Sequence, residues 1–101
     1  LIVTRNYRFT FPPAFPFEEA ESALLVARVA AEGILGEARV RLDDRHAIDP
    51  GARVIDVDAS TSTGDVIVGV FTALLVCEFG DQAFQVERIA EVAGTRPRAV
   101  A

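Results

Sequence analysis

Residues 60–80, STSTGDVIVGVFTALLVCEFG, decide the fold, because they form either one long helix or a strand pair, and the rest of the chain falls into place around that choice. Residues 60–65 offer several N-cap side chains, Gly80 supplies a stop, and only Gly69, Thr72 and Glu78 interrupt the apolar run over 66–79. The β-branched residues crowded into 66–71 also permit a second hairpin strand, and periodicity alone does not separate the two in so apolar a run. Length does. Thr63 and Gly80 bracket a span of about three to four helical turns, whereas strands of that length are unusual. A helix is therefore expected. Spanning a membrane takes about 20 apolar residues, and the run over 66–77 is shorter and ends at Glu78, so the helix is expected in the core or at a subunit contact.

Upstream, residues 3–11 alternate: Val3, Tyr7, Phe9 and Phe11 share one face with Arg5, while Thr4, Asn6, Arg8 and Thr10 share the other. That pattern predicts a half-buried strand, ended by the Phe/Pro run FPPAFPF at 11–17, since proline gives no ladder hydrogen bond. Pro16, the acids Glu18, Glu19 and Glu21, and Gly36 then bracket an amphipathic helix whose apolar stripe is Ala20, Leu24, Ala27, Ala31 and Ile34 or Leu35. Residues 37–43 alternate again, with Ala38, Val40 and Leu42 facing in, which predicts a second strand. A loop over 44–51 with an Asp49-Pro50-Gly51 turn leads to a third strand over 53–59, with Ile55 and Val57 inside. The second and third strands are expected to pair, placing Arg39 and Arg41 opposite Asp56 and Asp58. A last strand over 83–89 carries Phe84 and Val86 inward, and 94–101 reads as a tail after a single domain over 1–93. The expected architecture is α+β: a two-layer sandwich of βαββαβ order, ferredoxin-like, with two helices on one face of a four-stranded antiparallel sheet.

Composition narrows the chemistry. The chain has 101 residues, half of them hydrophobic, enough for one packed core. All ten basic residues are arginine, so a Schiff-base or P-loop lysine is excluded. The absence of Lys, Trp and Met beside abundant Ala and Val suggests a GC-rich, bacterial coding sequence. A net charge of −5 disfavours nucleic acid, which demands a dense cationic face. One cysteine, Cys77, gives no disulfide framework and points to a reducing, cytoplasmic setting. No secretory leader pattern opens the sequence.

Three local patterns carry candidate chemistry. Residues 54–61, VIDVDAST, resemble the strand-end DxDx[TV] nucleophile motif of haloacid-dehalogenase-type phosphotransferases, a resemblance that covers eight residues and implies Asp56 as nucleophile and Asp58 as acid/base with magnesium. That family also uses a later lysine and a further acidic pair in a much larger core, and this chain has neither, so Asp56 and Asp58 read as outward strand carboxylates. Asp43, His46 and Asp49, with Asp44, crowd one loop and are the metal candidates, although their spacing lacks the regular acidic positions and terminal glutamate of an EF-hand. Residues 60–65 suit helix capping better than anion binding, because Asp58 and Asp65 repel an anion there.

No catalytic set and no cofactor are indicated. The favoured function is a small non-enzymatic module for protein association or oligomerisation, with a protein partner or a second copy and neither nucleic acid nor membrane as partner. Its interface or pocket candidates are Phe11, Phe15 and Phe17 in the Phe/Pro run and Phe71 and Leu75 in the apolar helix. The alternatives are a small-molecule-sensing regulatory domain and, after it, a metal-assisted enzyme.

Overall fold

A computed structural model describes residues 3–92 of the chain. Strand β1 (Val3–Thr10) is followed by helices α1 (Phe17–Leu35) and α2 (Glu37–Asp43), strands β2 (His46–Asp49) and β3 (Val54–Asp58), helix α3 (Ser62–Phe79) and strand β4 (Gln85–Val92). The four strands form one antiparallel sheet in the order β2-β3-β1-β4. The α+β class and the four-stranded antiparallel sheet are as expected from sequence, but there are three helices where two were expected. The suggested tail over 94–101 lies outside the described residues.

The deciding stretch is one helix. Thr61 is its N-cap, with Oγ1 accepting a hydrogen bond from Gly64 N–H at 3.1 Å, and Gly80 ends it at φ 91°, a left-handed value that glycine adopts without strain. Gly64 is there because nothing larger fits: a Cβ at that position would lie 1.9 Å from the carbonyl oxygen of Asp58. The start of α3 thus rides directly on the end of β3.

Residues 37–43 overturn the expected second strand. They form α2, because Gly36 at φ 97° lets the chain break α1 and start a new helical turn. Two pairs at helical spacing then hold it, Arg41 with Glu37 and Arg39 with Asp43. Only Val40 of this segment is buried, and Leu42, expected inside, is 74% exposed. Seven residues with Ala, Val and Leu at alternate positions fit either period, and the ion pairs select the helix. The strand that pairs with β3 comes from the expected loop instead: β2 matches His46 to Val57, Ala47 to Asp56, Ile48 to Ile55 and Asp49 to Val54. Arg39 and Arg41 therefore do not face Asp56 and Asp58.

The core lies between the sheet and the helices. Phe9, Ile55 and Val57 from the sheet meet Ala20, Leu24, Ala27 and Ala31 of α1 and Ile67, Phe71 and Leu75 of α3. Phe9 packs against Phe71 with ring centroids 4.6 Å apart. The last strand begins at Gln85, two residues later than expected, and Val86 is half-exposed near the sheet margin rather than inside.

Candidate functional site

The five aromatic and aliphatic residues expected at an interface are all buried. Phe11, Phe15 and Phe17 close one end of the core: Phe11 lies 4.9 Å from Phe15 and 5.6 Å from Phe17, centroid to centroid, and Phe15 packs on Phe79 at 4.5 Å with the rings tilted by 52°. Phe71 and Leu75 sit at the middle of the helix–sheet contact, fully shielded from solvent. None of the five can meet a partner in the folded chain. Burial explains this, because a domain this small needs its large rings to fill its own interior.

Arg53 organises that Phe/Pro corner, a role the sequence did not disclose. Its Nε donates to the carbonyl oxygens of Phe11 and Pro12 at 3.3 and 3.1 Å, its Nη2 donates to the carbonyl of Phe15, and the guanidinium lies 5.6 Å from the Phe17 ring centroid. One side chain thus reaches three backbone carbonyls of the corner, of which that of Pro12 also accepts from Phe15 N–H at 2.9 Å. Arg53 itself takes φ 59°, an uncommon value for a residue with a Cβ, inside the turn that follows Asp49-Pro50-Gly51.

The suggested metal ligands take separate partners. Asp43 accepts from Thr63 Oγ1 at 3.2 Å and pairs with Arg39, while Asp49 accepts from Ala52 N–H at 3.1 Å as the turn residue. His46 Nδ1 lies 2.9 Å from Asp44 Oδ1, and the other oxygen of Asp44 takes the Nε of Arg28. Among the described residues no group of three or more His, Cys, Asp or Glu is arranged to hold a metal ion. Asp44, only 6% exposed at its side chain, instead ties α1 to the segment between α2 and β2.

On the open face of the sheet, Arg8 grips Asp56 with both ends of its guanidinium fork, Nε and Nη2 donating to the two carboxylate oxygens at 2.9 and 3.0 Å. Asp58 turns to the backbone N–H and hydroxyl of Ser60. The two carboxylates of the phosphotransferase-like motif are thus engaged in strand pairing and turn formation. A depression of about 410 Å³ beside them is lined by residues that include Asn6, Asp44, His46 and Asp58.

Among the described residues, nothing packs on the outer face of the helical layer. On α1, Leu25, Val26 and Val29 point away from the sheet at helical spacing, with Leu25 and Val29 each 57% exposed. On α3, Gly69, Ala73, Val76 and Cys77 are exposed in the same sense. Helix α3 has a mean hydropathy of 1.6 over its 18 residues; Ile67, Phe71 and Leu75 are buried, Val66, Val68, Val70, Leu74 and Phe79 pack half-buried against the core, and Val76 is its one exposed large aliphatic side chain. By length and composition alone it could cross a membrane, which differs from the shorter run counted in the sequence, but Ile67, Phe71 and Leu75 are committed to the sheet. Small and β-branched residues spread all round α3 hid this face, because no polar stripe marks which side is wet.

Comparison of the chain with protein-family models, with curated proteins and with solved structures finds no match.

Proposed function

We propose that this chain is a small non-enzymatic association module, a ferredoxin-like sandwich with α2 inserted in its first crossover, which works by docking the outer face of α1 and α3 against a protein partner. The sheet order β2-β3-β1-β4 supports the fold part of this reading. One observation carries the functional part: Leu25, Val26 and Val29 on the outer side of α1 and Val76 on the outer side of α3 are all exposed large aliphatic side chains. Single exposed apolar residues are ordinary, but a contiguous apolar face on two adjacent helices marks an interaction surface. The interface thus moves from the Phe residues to the small aliphatic ones.

The test is size-exclusion chromatography with multi-angle light scattering, in low and high salt, on the wild-type chain and on Leu25→Glu/Val29→Glu. The wild type is expected in a salt-resistant complex, with itself or with a co-purifying protein, and the double variant as a folded monomer of 10.9 kDa. Equal association of both would remove the helical face from the account.

A further inference from the structure

We infer that the free edge of β2 pairs with β2 of a second copy of the chain, the two strands antiparallel about a twofold axis perpendicular to the sheet, with Arg45 of each copy opposite Asp49 of the other. This contact lies at the sheet margin, is separate from the outer face of α1 and α3, and needs nothing from it.

Among the described residues no strand pairs on the far side of β2, and all of its residues are exposed. Ile48 is exposed even though it stands opposite the buried Ile55 and so shares its face of the sheet. The bonding to β3 decides which backbone groups are free. Residues facing each other in an antiparallel pair alternate between those that exchange hydrogen bonds and those that do not. Asp58 N–H donates to the Arg45 carbonyl at 2.9 Å, so Arg45, Ala47 and Asp49 are the residues bonded to β3, and His46 and Ile48 turn their N–H and C=O groups outward. Ala47, between Arg45 and Asp49, stands opposite Asp56, so all three face the open side of the sheet where Arg8 holds Asp56.

A second β2 meets donors with acceptors only where His46 or Ile48 of one copy stands opposite His46 or Ile48 of the other. With His46 opposite Ile48, the whole of β2 pairs, Ala47 meets Ala47 on the axis, and Arg45 meets Asp49 on both sides of it. These charge pairs fall at positions without hydrogen bonds, where facing side chains are closest. Sliding one strand by two residues in either direction sets Arg45 or Asp49 against Ala47 instead. Both charges are available: the two side chains are exposed, and neither makes an ion pair among the described residues. Arg45 donates from Nη1 to the Leu42 carbonyl at 3.1 Å and Asp49 accepts from Ala52 N–H, contacts with neutral groups that leave each charge unbalanced. The margin at β4 offers no such match, because Glu87 and Arg88 project to opposite faces and no register of β4 with itself that keeps the faces aligned sets one against the other. Four residues a side give less than the roughly 800 Å² per partner of a standard interface, so the dimer is expected to be weak, with a dissociation constant of about 100 µM.

The experiment is sedimentation equilibrium on the full chain from about 10 µM to about 1 mM, carried out in the Leu25→Glu/Val29→Glu background so that the helical face does not contribute. A mass of 10.9 kDa is expected at the lower end, rising towards twice that at the upper end. Arg45→Glu sets two carboxylates opposite each other and Asp49→Lys sets two cations, and each is expected to weaken the dimer at least fivefold. Their equimolar mixture restores both charge pairs and is expected to recover a heterodimer, which also shows that both variants fold. Ile48→Pro removes an outward N–H without touching the ladder to β3 and is expected to abolish the dimer. Amide hydrogen exchange reads the edge directly: His46 and Ile48 should be slowed at the higher concentration, and Ala47 and Asp49, already bonded to β3, should not. A monomer at about 1 mM overturns the pairing and leaves the helical-face reading standing. A dimer indifferent to the charge variants, or one that survives Ile48→Pro, overturns it as well. Dimerisation of the wild type that is lost in the Leu25→Glu/Val29→Glu background at every concentration assigns the second copy to the helical face and removes it from β2.

Discussion

The molecule has two apolar regions of opposite fate. The Phe/Pro corner gathers Phe11, Phe15, Phe17 and Phe79 and seals them, with Arg53 closing the backbone around them. The outer face of α1 and α3 gathers Leu25, Val26, Val29, Ala73 and Val76 and leaves them in solvent. The difference is one of supply. A 101-residue domain has room for one small core, and rings fill it with the fewest residues, so the aliphatic excess of two long helices stays outside. In this chain the aromatic-rich segment marks the interior, while the helices carry aliphatic residues both in the core and on their outer side.

Phe71→Ala should make the largest difference between the two regions. It removes a fully buried ring that packs on Phe9, and a loss of about 3–5 kcal/mol in urea-melt stability is expected; a loss below about 1 kcal/mol would mean that the sealed region is not the core. Next come two glycines of α3. Gly64→Ala forces a methyl against the Asp58 carbonyl and should cost about 3 kcal/mol, whereas Gly69→Ala meets open space and should stabilise the helix by about 0.5–1 kcal/mol. Equal effects in thermal melts would show that the two sides of α3 are not inside and outside. Arg53→Ala should cost about 2 kcal/mol by taking the guanidinium from the carbonyls of Phe11 and Phe15, with φ 59° as unfavourable for alanine as for arginine, and Arg53→Gly should cost less because glycine takes that φ without strain. If the alanine variant melts like wild type, the corner is sealed by its rings alone. Smallest of all, Leu25→Glu should leave stability within about 0.5 kcal/mol, because its side chain touches no core residue that needs it; a collapse of the fold on that change would put Leu25 inside.

Sequence patterns disclosed β1, α1, β3 and α3 because each carries its own period and its own punctuation: the alternation around Phe9, the prolines before α1, Gly36, and the caps at Thr61 and Gly80. They failed over 37–49, where seven residues of α2 alternate like a strand and four of β2 show no alternation at all, since the whole of β2 is exposed at the sheet edge. There the structure rests on pairing to β3 and on the Arg28–Asp44 tether, which join residues that sequence spacing does not bring together, while the i,i+4 ion pairs of α2 carry meaning only once a helix is assumed. The candidate surface was half legible. The apolar excess of residues 66–79 was visible, but which residues of it are wet depends on where the sheet lies. Arg53 was hidden for a similar reason: its partners are backbone oxygens about 40 residues away, and such acceptors leave no signature.

Among the described residues, strand β4 forms one margin of the sheet, eight residues long, with no strand paired on its far side. A margin of that length is a template on which further chains can stack without limit, as in fibres. Glu87 and Arg88 sit side by side on it, one projecting to each face, so a stacking neighbour would have to strip water from a charge on either side. A concentrated solution of this protein should therefore stay clear, without strand-on-strand growth into fibres.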